Sequence, residues 1–209
     1  MRLALRLVAT LGVLLAIYGL QFGLEHGLND YVQRIVLLAG INIILAVGLN
    51  LINGTTGQFS IGHAGFMAVG AYSAAYVGVR IAGPLHGVLG QGVLANAVIF
   101  NAALLVGALF AGISGLVVGM PSLRLRGDYL AVVTLGFGEI IRILFNNATF
   151  LGAATGYFGD DPSGLPAYTN FFWVYAWVAV IVVLIHNLTF SQTGRSLIAI
   201  REDEIAAEA

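Results

Sequence analysis

Six apolar stretches, residues 5–24, 35–51, 64–81, 93–119, 129–150 and 171–188, take up most of the 209-residue chain. Each is close to the roughly 20 residues that a helix needs to cross the hydrocarbon of a bilayer. Inside hydrocarbon every backbone N–H and C=O must find its partner within the protein, so runs of this kind predict membrane-spanning helices. The expected fold is therefore all-α, a polytopic transmembrane helical bundle of about six spans. Composition closes off the alternatives. Charged residues are 9% of the chain and hydrophobic ones 59%, against roughly 25% charge in an ordinary soluble domain. Too little charge is present to solvate a globular surface, and a net charge of -1 gives no attraction to nucleic acid.

The few charges are placed with a pattern. All basic residues are Arg, with no Lys, which excludes a phosphate-binding P-loop and lysine Schiff-base chemistry. Any ATP that drives this protein must be hydrolysed on another chain. With the N-terminus in the cytoplasm, Arg2, Arg6, Arg124, Arg126, Arg195 and Arg201 fall inside, while Glu25, Asp30, Asp160 and Asp161 fall outside. This agrees with the positive-inside rule over six crossings. Arg34 and Arg80 lie near the outer ends of spans, from which long side chains can snorkel. Arg2 and Arg6 before an apolar run resemble a secretory signal, but no A-x-A-like site follows around residues 21–27, so the first helix is read as retained.

Two segments interrupt the regular pattern. Residues 53–63, NGTTGQFSIGH, are uncharged, rich in Gly, hydroxyl and amide groups, and abut an apolar span. Irregular backbone near a membrane survives where it is buried in protein or lines a wet cavity. A re-entrant or broken helix near residues 53–63 is one reading, and a short cytoplasmic loop is the other. Residues 193–209, TGRSLIAIREDEIAAEA, hold six charged residues after Gly194, with Leu197, Ile198, Ile200 and Ile205 supplying an apolar side. The chain thus divides into a transmembrane domain over 1–192 and a cytoplasmic segment over 193–209. The latter stops without a helix-ending signal, which points to a truncated chain.

Several residues could carry function. Glu139 and Arg142 lie three apart within the fifth span, share a helix face and can pair, with Asn146 one turn further. A lone mid-bilayer charge costs about 2.5–3.5 kcal/mol on insertion scales, so such charges pair or line a cavity. The two readings are a structural ion pair and the polar wall of a substrate path. Gln58, Ser60 and His63 cluster in the Gly-rich interruption, where free backbone groups at a broken helix suit a zwitterionic ligand. Ser60 and His63 as nucleophile and base lack an orienting acid nearby. Asn42, Asn50, Asn96 and Asn101 read as interhelical glue, and Ala111, Gly115 and Gly119, with Gly112, as a small-residue packing stripe. Cysteine is absent and the four His are scattered, so neither a metal site nor a cofactor is expected.

Three segments, in order, resemble one family. Residues 50–76, NLINGTTGQFSIGHAGFMAVGAYSAAY, look like the start of the branched-chain amino-acid ABC transporter permeases. Residues 121–147, PSLRLRGDYLAVVTLGFGEIIRILFNN, are similar to the signature of the LivM-type member of the permease pair. Residues 194–209, GRSLIAIREDEIAAEA, resemble the cytoplasmic loop by which such permeases engage their ATPase.

The resemblance implies a bacterial inner-membrane importer with a homologous second permease subunit, two ATPase subunits and an external solute-binding protein, all set in membrane lipid. It implies no nucleic acid, no enzymatic activity and no cofactor on this chain. Coupling to the ATPase would fall to Gly194, Arg195, Arg201, Glu204, Ala206 and Ala207, and Glu204, Ala206 and Ala207 fit the family's Glu and two alanines. Gln58, Ser60, His63, Glu139 and Arg142 are the candidates for the substrate path. The family is longer, with further spans after this loop, and commonly carries TGG-x-x-GI on the outer side. Here residues 155–164, TGYFGDDPSG, keep only Thr155 and Gly156, which leaves leucine-like amino acids, other amino acids and small amides such as urea as substrate classes. From the residues alone, a stand-alone secondary transporter or channel using Glu139 and Arg142 is the alternative, and an intramembrane hydrolase on Ser60 and His63 is a third reading.

Overall fold

The chain was analysed as a computed structural model that describes residues 12, 15–23, 27, 29–122, 125, 127–158 and 169–202. Among these, no strand occurs. Residues 15–23 are helical (α1), followed by Asp30–Asn50 (α2), His63–Leu89 (α3), Val93–Ser122 (α4), Asp128–Asn147 (α5), Phe171–Thr189 (α6) and Gln192–Glu202 (α7). The protein is all-α and polytopic. Four described helices are long and apolar enough to cross a membrane: Asp30–Thr55, His63–Leu89, Val93–Ser122 and Phe171–Thr189. Their positions match the expected spans to within a few residues, except that α3 continues through Pro84 to Leu89.

Polar side chains close the helix ends that apolar sequence cannot. Asn29 accepts a hydrogen bond from the Val32 amide at α2, and Asn170 accepts one from the Trp173 amide at α6, both at 3.0 Å. These N-caps satisfy amides that the first helical turn leaves unpaired.

The chain forms two units, Met1–Gly57 with Thr169–Ala209, and Gln58–Tyr168. In the first unit α2 and α6 run parallel. The Tyr175 hydroxyl donates to the Val36 carbonyl at 3.0 Å near their N-terminal ends, and the turn after α2 meets α7 beyond the C-terminal end of α6. Gly40 is buried where Val174 and Tyr175 of α6 cross it, and a Cβ there would stand 2.6 Å from Val174 Cγ1. In α1 the Gln21 side chain accepts from the Phe172 amide at 3.1 Å, tying residue 21 to the N-terminal end of α6.

In the second unit α3 and α4 form an antiparallel hairpin packed through small residues. A Cβ on Gly107 would lie 2.5 Å from the Gly70 carbonyl oxygen and 2.9 Å from Ala74 Cβ. Gly70 faces Ala111 and Gly78 faces Ala103, each at 3.3 Å from a built Cβ. The expected packing stripe is therefore displaced. Ala103, Gly107 and Ala111 make the contact, and only Ala111 belongs to the stripe read from sequence. Around Gly112, Gly115 and Gly119 nothing lies within 4 Å of a built Cβ. Of the amides, Asn96 does join helices, its Oδ1 lying 3.0 Å from His86 Nε2, but Asn42 and Asn101 bond their own helices at the Leu38 and Ala97 carbonyls.

Helix α5 runs parallel to α3, since Gly62, Gly65 and Tyr72 meet Thr134, Gly138 and Phe145 in the same order. The 20-residue α5 spans about 30 Å at 1.5 Å per residue, long enough to cross despite its charges. The α3–α4–α5 directions alternate.

Candidate functional site

The polar interruption separates two helices, α2 with its terminal π turn and α3. Asn50, Asn53, Gly54 and Thr55 are weak helix formers, and here the α-helical turn widens to a π turn over Leu51–Thr55. The Thr56 amide reaches back five residues to the Leu51 carbonyl at 3.3 Å. The Asn50 side chain occupies the space over Gly54, where a Cβ would collide with it. Residues 57–61 are then without regular structure and α3 starts at His63. The π turn ends α2, as π turns do at helix C-termini. Residues 56–62 are thus a short connection between two span-length helices, the arrangement that the short-loop reading describes, and no re-entrant helix occurs among the described residues.

Each half of the break is held by its own unit. In the second unit, the Ile61 amide donates to Thr134 Oγ1 at 3.1 Å, and that hydroxyl donates onward to the Ala131 carbonyl at 3.0 Å. Thr134 is only 6% exposed, so this hydroxyl is fully used inside the protein. A Cβ on Gly62 would lie 2.6 Å from the Thr134 carbonyl oxygen, and one on Gly65 would lie 3.0 Å from Gly138 Cα. Backbone thus rests on backbone, which fixes Gln58, Ser60 and His63 beside the first half of α5. All three are half-buried.

Glu139 and Arg142 do pair. Arg142 Nε and Nη2 reach Glu139 Oε2 at 2.8 and 2.7 Å, within one helix. Their side chains are 51% and 63% exposed, so the pair lies on the open side of α5 within this chain. At about 100° per residue they sit roughly 60–120° around the helix from the centre of the Thr134–Gly138 contact face, with exposed Asn146 on the same flank. The five path candidates therefore form two groups, the break beside α3 and the ion pair on the flank of α5. Exposed charge at mid-span is unstable against lipid and calls for a partner or a wet cavity. Arg80 lies over the ring of Tyr76, one helical turn away, at 5.2 Å from its centroid.

In the first unit, the other half of the break meets the coupling candidates. Arg201 Nη1 donates to the Gly54 carbonyl at 3.2 Å, and Nη2 bonds Glu202 at 2.8 Å. Ser191 caps α7 by accepting from the Gly194 amide at 3.1 Å. Gly194 is buried at the α6–α7 corner, where a Cβ would strike the carbonyls of Leu188 and Thr189. Arg195 is exposed on the first turn of α7. Glu204, Ala206 and Ala207 lie outside the described residues, as do Arg124, Arg126, Asp160 and Asp161.

Thr134 and Tyr175 escape notice in the sequence, and Gly57 is marked there only as one of the glycines of residues 53–63. A Thr in an apolar helix commonly bonds its own i−3 or i−4 carbonyl, so nothing in the sequence sets Thr134 apart. A Tyr among apolar residues is equally unmarked.

The fold and site define a class: a multi-pass α-helical membrane protein in which a polar, Gly-rich connection joins two spans and an amphipathic helix docks on the π turn that ends the first of them. Residues 31–209 match the family described as "Branched-chain amino acid transport system / permease component". The chain is 37% identical over 208 residues to the "High-affinity branched-chain amino acid transport system permease protein LivM" of Escherichia coli (strain K12), covering 82% of this chain and 44% of that protein. The protein of the same description in Salmonella typhimurium is 36% identical over the same shares. A "Probable branched-chain amino acid transport permease protein LivM" of Methanocaldococcus jannaschii is 26% identical, covering 86% of this chain and 59% of that protein. No solved structure matches. The chain belongs to the branched-chain amino acid transport permease family, and it spans less than half the length of the two bacterial relatives.

Proposed function

We propose that this chain is the membrane permease subunit of an ATP-driven importer for branched-chain or related amino acids. It sits in the bacterial cytoplasmic membrane with its N-terminus inside. The observation that carries this reading is the family match across residues 31–209, which takes in both the polar connection and the segment docked against it. A homologous second permease subunit completes the path, two ATPase subunits supply the energy, and an external binding protein delivers the solute. Gln58, Ser60, His63, Glu139 and Arg142 line the path, and residues 193–209 seat on the ATPase. A helix that is apolar on one side and charged on the other suits a groove of a soluble partner. Transport requires no covalent chemistry on this chain, so the permease itself is not an enzyme.

The experiment is Glu204→Ala in the assembled importer. It is expected to leave ATP hydrolysis running while solute uptake falls at least about fivefold, the lower scale of coupling between two sites. Uptake equal to wild type would remove the coupling role from this segment.

A further inference from the structure

Arg201 is built into the helix break as well as lying beside it. Its Nη1 donates to the Gly54 carbonyl in the π turn at 3.2 Å. Its Nε and Nη2 are both taken by Glu202 Oε1, at 3.2 and 2.8 Å, which fixes the guanidinium fork with Nη1 pointing at the turn. The aliphatic stem lies across Gly57, where a Cβ would stand 2.6 Å from Arg201 Cγ, 3.3 Å from its Cβ and 3.5 Å from its Cδ. Gly57 also has φ +69, a backbone conformation that side chains resist. A side chain at position 57 would be strained by its backbone and, as long as Arg201 is present, would meet the arginine stem.

The opposite end of α7 is equally constrained. Ser191 caps it, its hydroxyl also donating to the Leu188 carbonyl at 2.6 Å, and Gly194 allows α7 to press onto the last carbonyls of α6. A continuous chain of contacts runs from α6 through the corner and α7 to Arg201 and the π turn that ends α2. Every residue in it belongs to the first unit.

We propose that Arg201 is a positioning residue that clamps α7 to the π turn, so that α6, α7 and the C-terminal turn of α2 move as one body. A push on α7 then arrives at the break over residues 56–62. This rests on the importer reading above, in which an ATPase delivers the push. The side chain is half-exposed, so its charge contributes little by itself. The forked hydrogen bonding and the packed stem make the joint.

These 209 residues hold no cysteine, so Gly57→Cys with Arg201→Cys, in an importer otherwise cleared of cysteine, introduces one defined pair. The Cβ positions, 3.3 Å apart, need shift only a few tenths of an ångström to reach the roughly 3.5–4.5 Å of a disulfide. The double variant is expected to cross-link under mild oxidant, and neither single variant to do so. In the reduced state, lacking the clamp, uptake per ATP hydrolysed should fall at least about fivefold. Oxidation should restore it, because a covalent bond replaces the arginine. Absence of the cross-link overturns the contact. A cross-linked importer that stays uncoupled shows that the joint must open during the cycle and overturns the one-body claim. Arg201→Ala, at an exposed side chain, provides the same uncoupling test without touching Gly57, and wild-type coupling in that variant also overturns the claim. If wild-type assemblies show no ATP-driven uptake at all, the importer reading and the transmission claim fall together, while the cross-link yield still decides whether the clamp exists.

Discussion

Thr134→Val tests the joint between the helix break and α5. The change keeps the side-chain volume and removes the single hydroxyl that accepts from the Ile61 amide at 3.1 Å and donates to the Ala131 carbonyl at 3.0 Å. The Ala131 carbonyl stays within the helical ladder of α5, so its loss is small. The Ile61 amide, part-buried against Thr134, loses its partner. A buried donor left unsatisfied costs about 1–3 kcal/mol, and each 1.4 kcal/mol is about a tenfold change in an equilibrium. Local opening of residues 56–62 should therefore become about tenfold more frequent. Hydrogen exchange followed by mass spectrometry, on peptides covering residues 56–66 of the detergent-solubilised protein, reads this directly. Exchange there should accelerate, while peptides from α4 serve as the unchanged reference. Thr134→Ser, which keeps the hydroxyl, should exchange like wild type. If Thr134→Val exchanges at the wild-type rate, residues 58–62 are not held by this hydroxyl and the account of the break is wrong.

Other perturbations separate packing from transport. Gly107→Leu sets a side chain where a Cβ already lies 2.5 Å from the Gly70 carbonyl oxygen, and overpacking of this kind costs about 1–3 kcal/mol. Its thermal midpoint should drop by several degrees, whereas Gly115→Leu, with nothing within 4 Å, should leave the midpoint in detergent unchanged. Equal midpoints for the two would contradict the displaced stripe. Tyr175→Phe removes the bond to the Val36 carbonyl and should cost about 0.5–1.5 kcal/mol, seen as a lower midpoint without loss of expression. Glu139→Gln leaves Arg142 unpaired and should lower membrane abundance, since a lone mid-span charge costs about 2.5–3.5 kcal/mol. Exchanging the two residues, Glu139→Arg with Arg142→Glu, should restore abundance but not amino-acid uptake. Full uptake in the exchanged protein would reduce the pair to a structural role.

The helices were legible in the sequence because span length and apolarity are local properties. Spans over 93–119 and 171–188 reappear as Val93–Ser122 and Phe171–Thr189 with almost the same limits. The break at residues 53–63 was legible for the same reason, since weak helix formers and glycines cluster there. The partners of that break were not. Thr134 is 73 residues away from Ile61 and Arg201 is 147 away from Gly54, and no periodicity links such positions. The small-residue stripe shows the same limit. Spacing of four identifies a face that can pack closely, but Ala103, Gly107 and Ala111 were chosen over Gly115 and Gly119 by where α3 crosses. The pairing of Glu139 with Arg142 could be read from spacing, whereas its exposure on the flank of α5 depends on which face α3 covers.

The proposal at stake is that this chain carries solute across the membrane only when a separate ATPase drives it. Uptake of labelled leucine into proteoliposomes measures that most directly, with the chain assembled with its partner permease, ATPase subunits and binding protein. The account predicts uptake that needs ATP on the ATPase side, persists when ion gradients are collapsed, and vanishes when the ATPase subunits are left out. Uptake by this chain alone, driven by a proton or ion gradient without ATP, would contradict it.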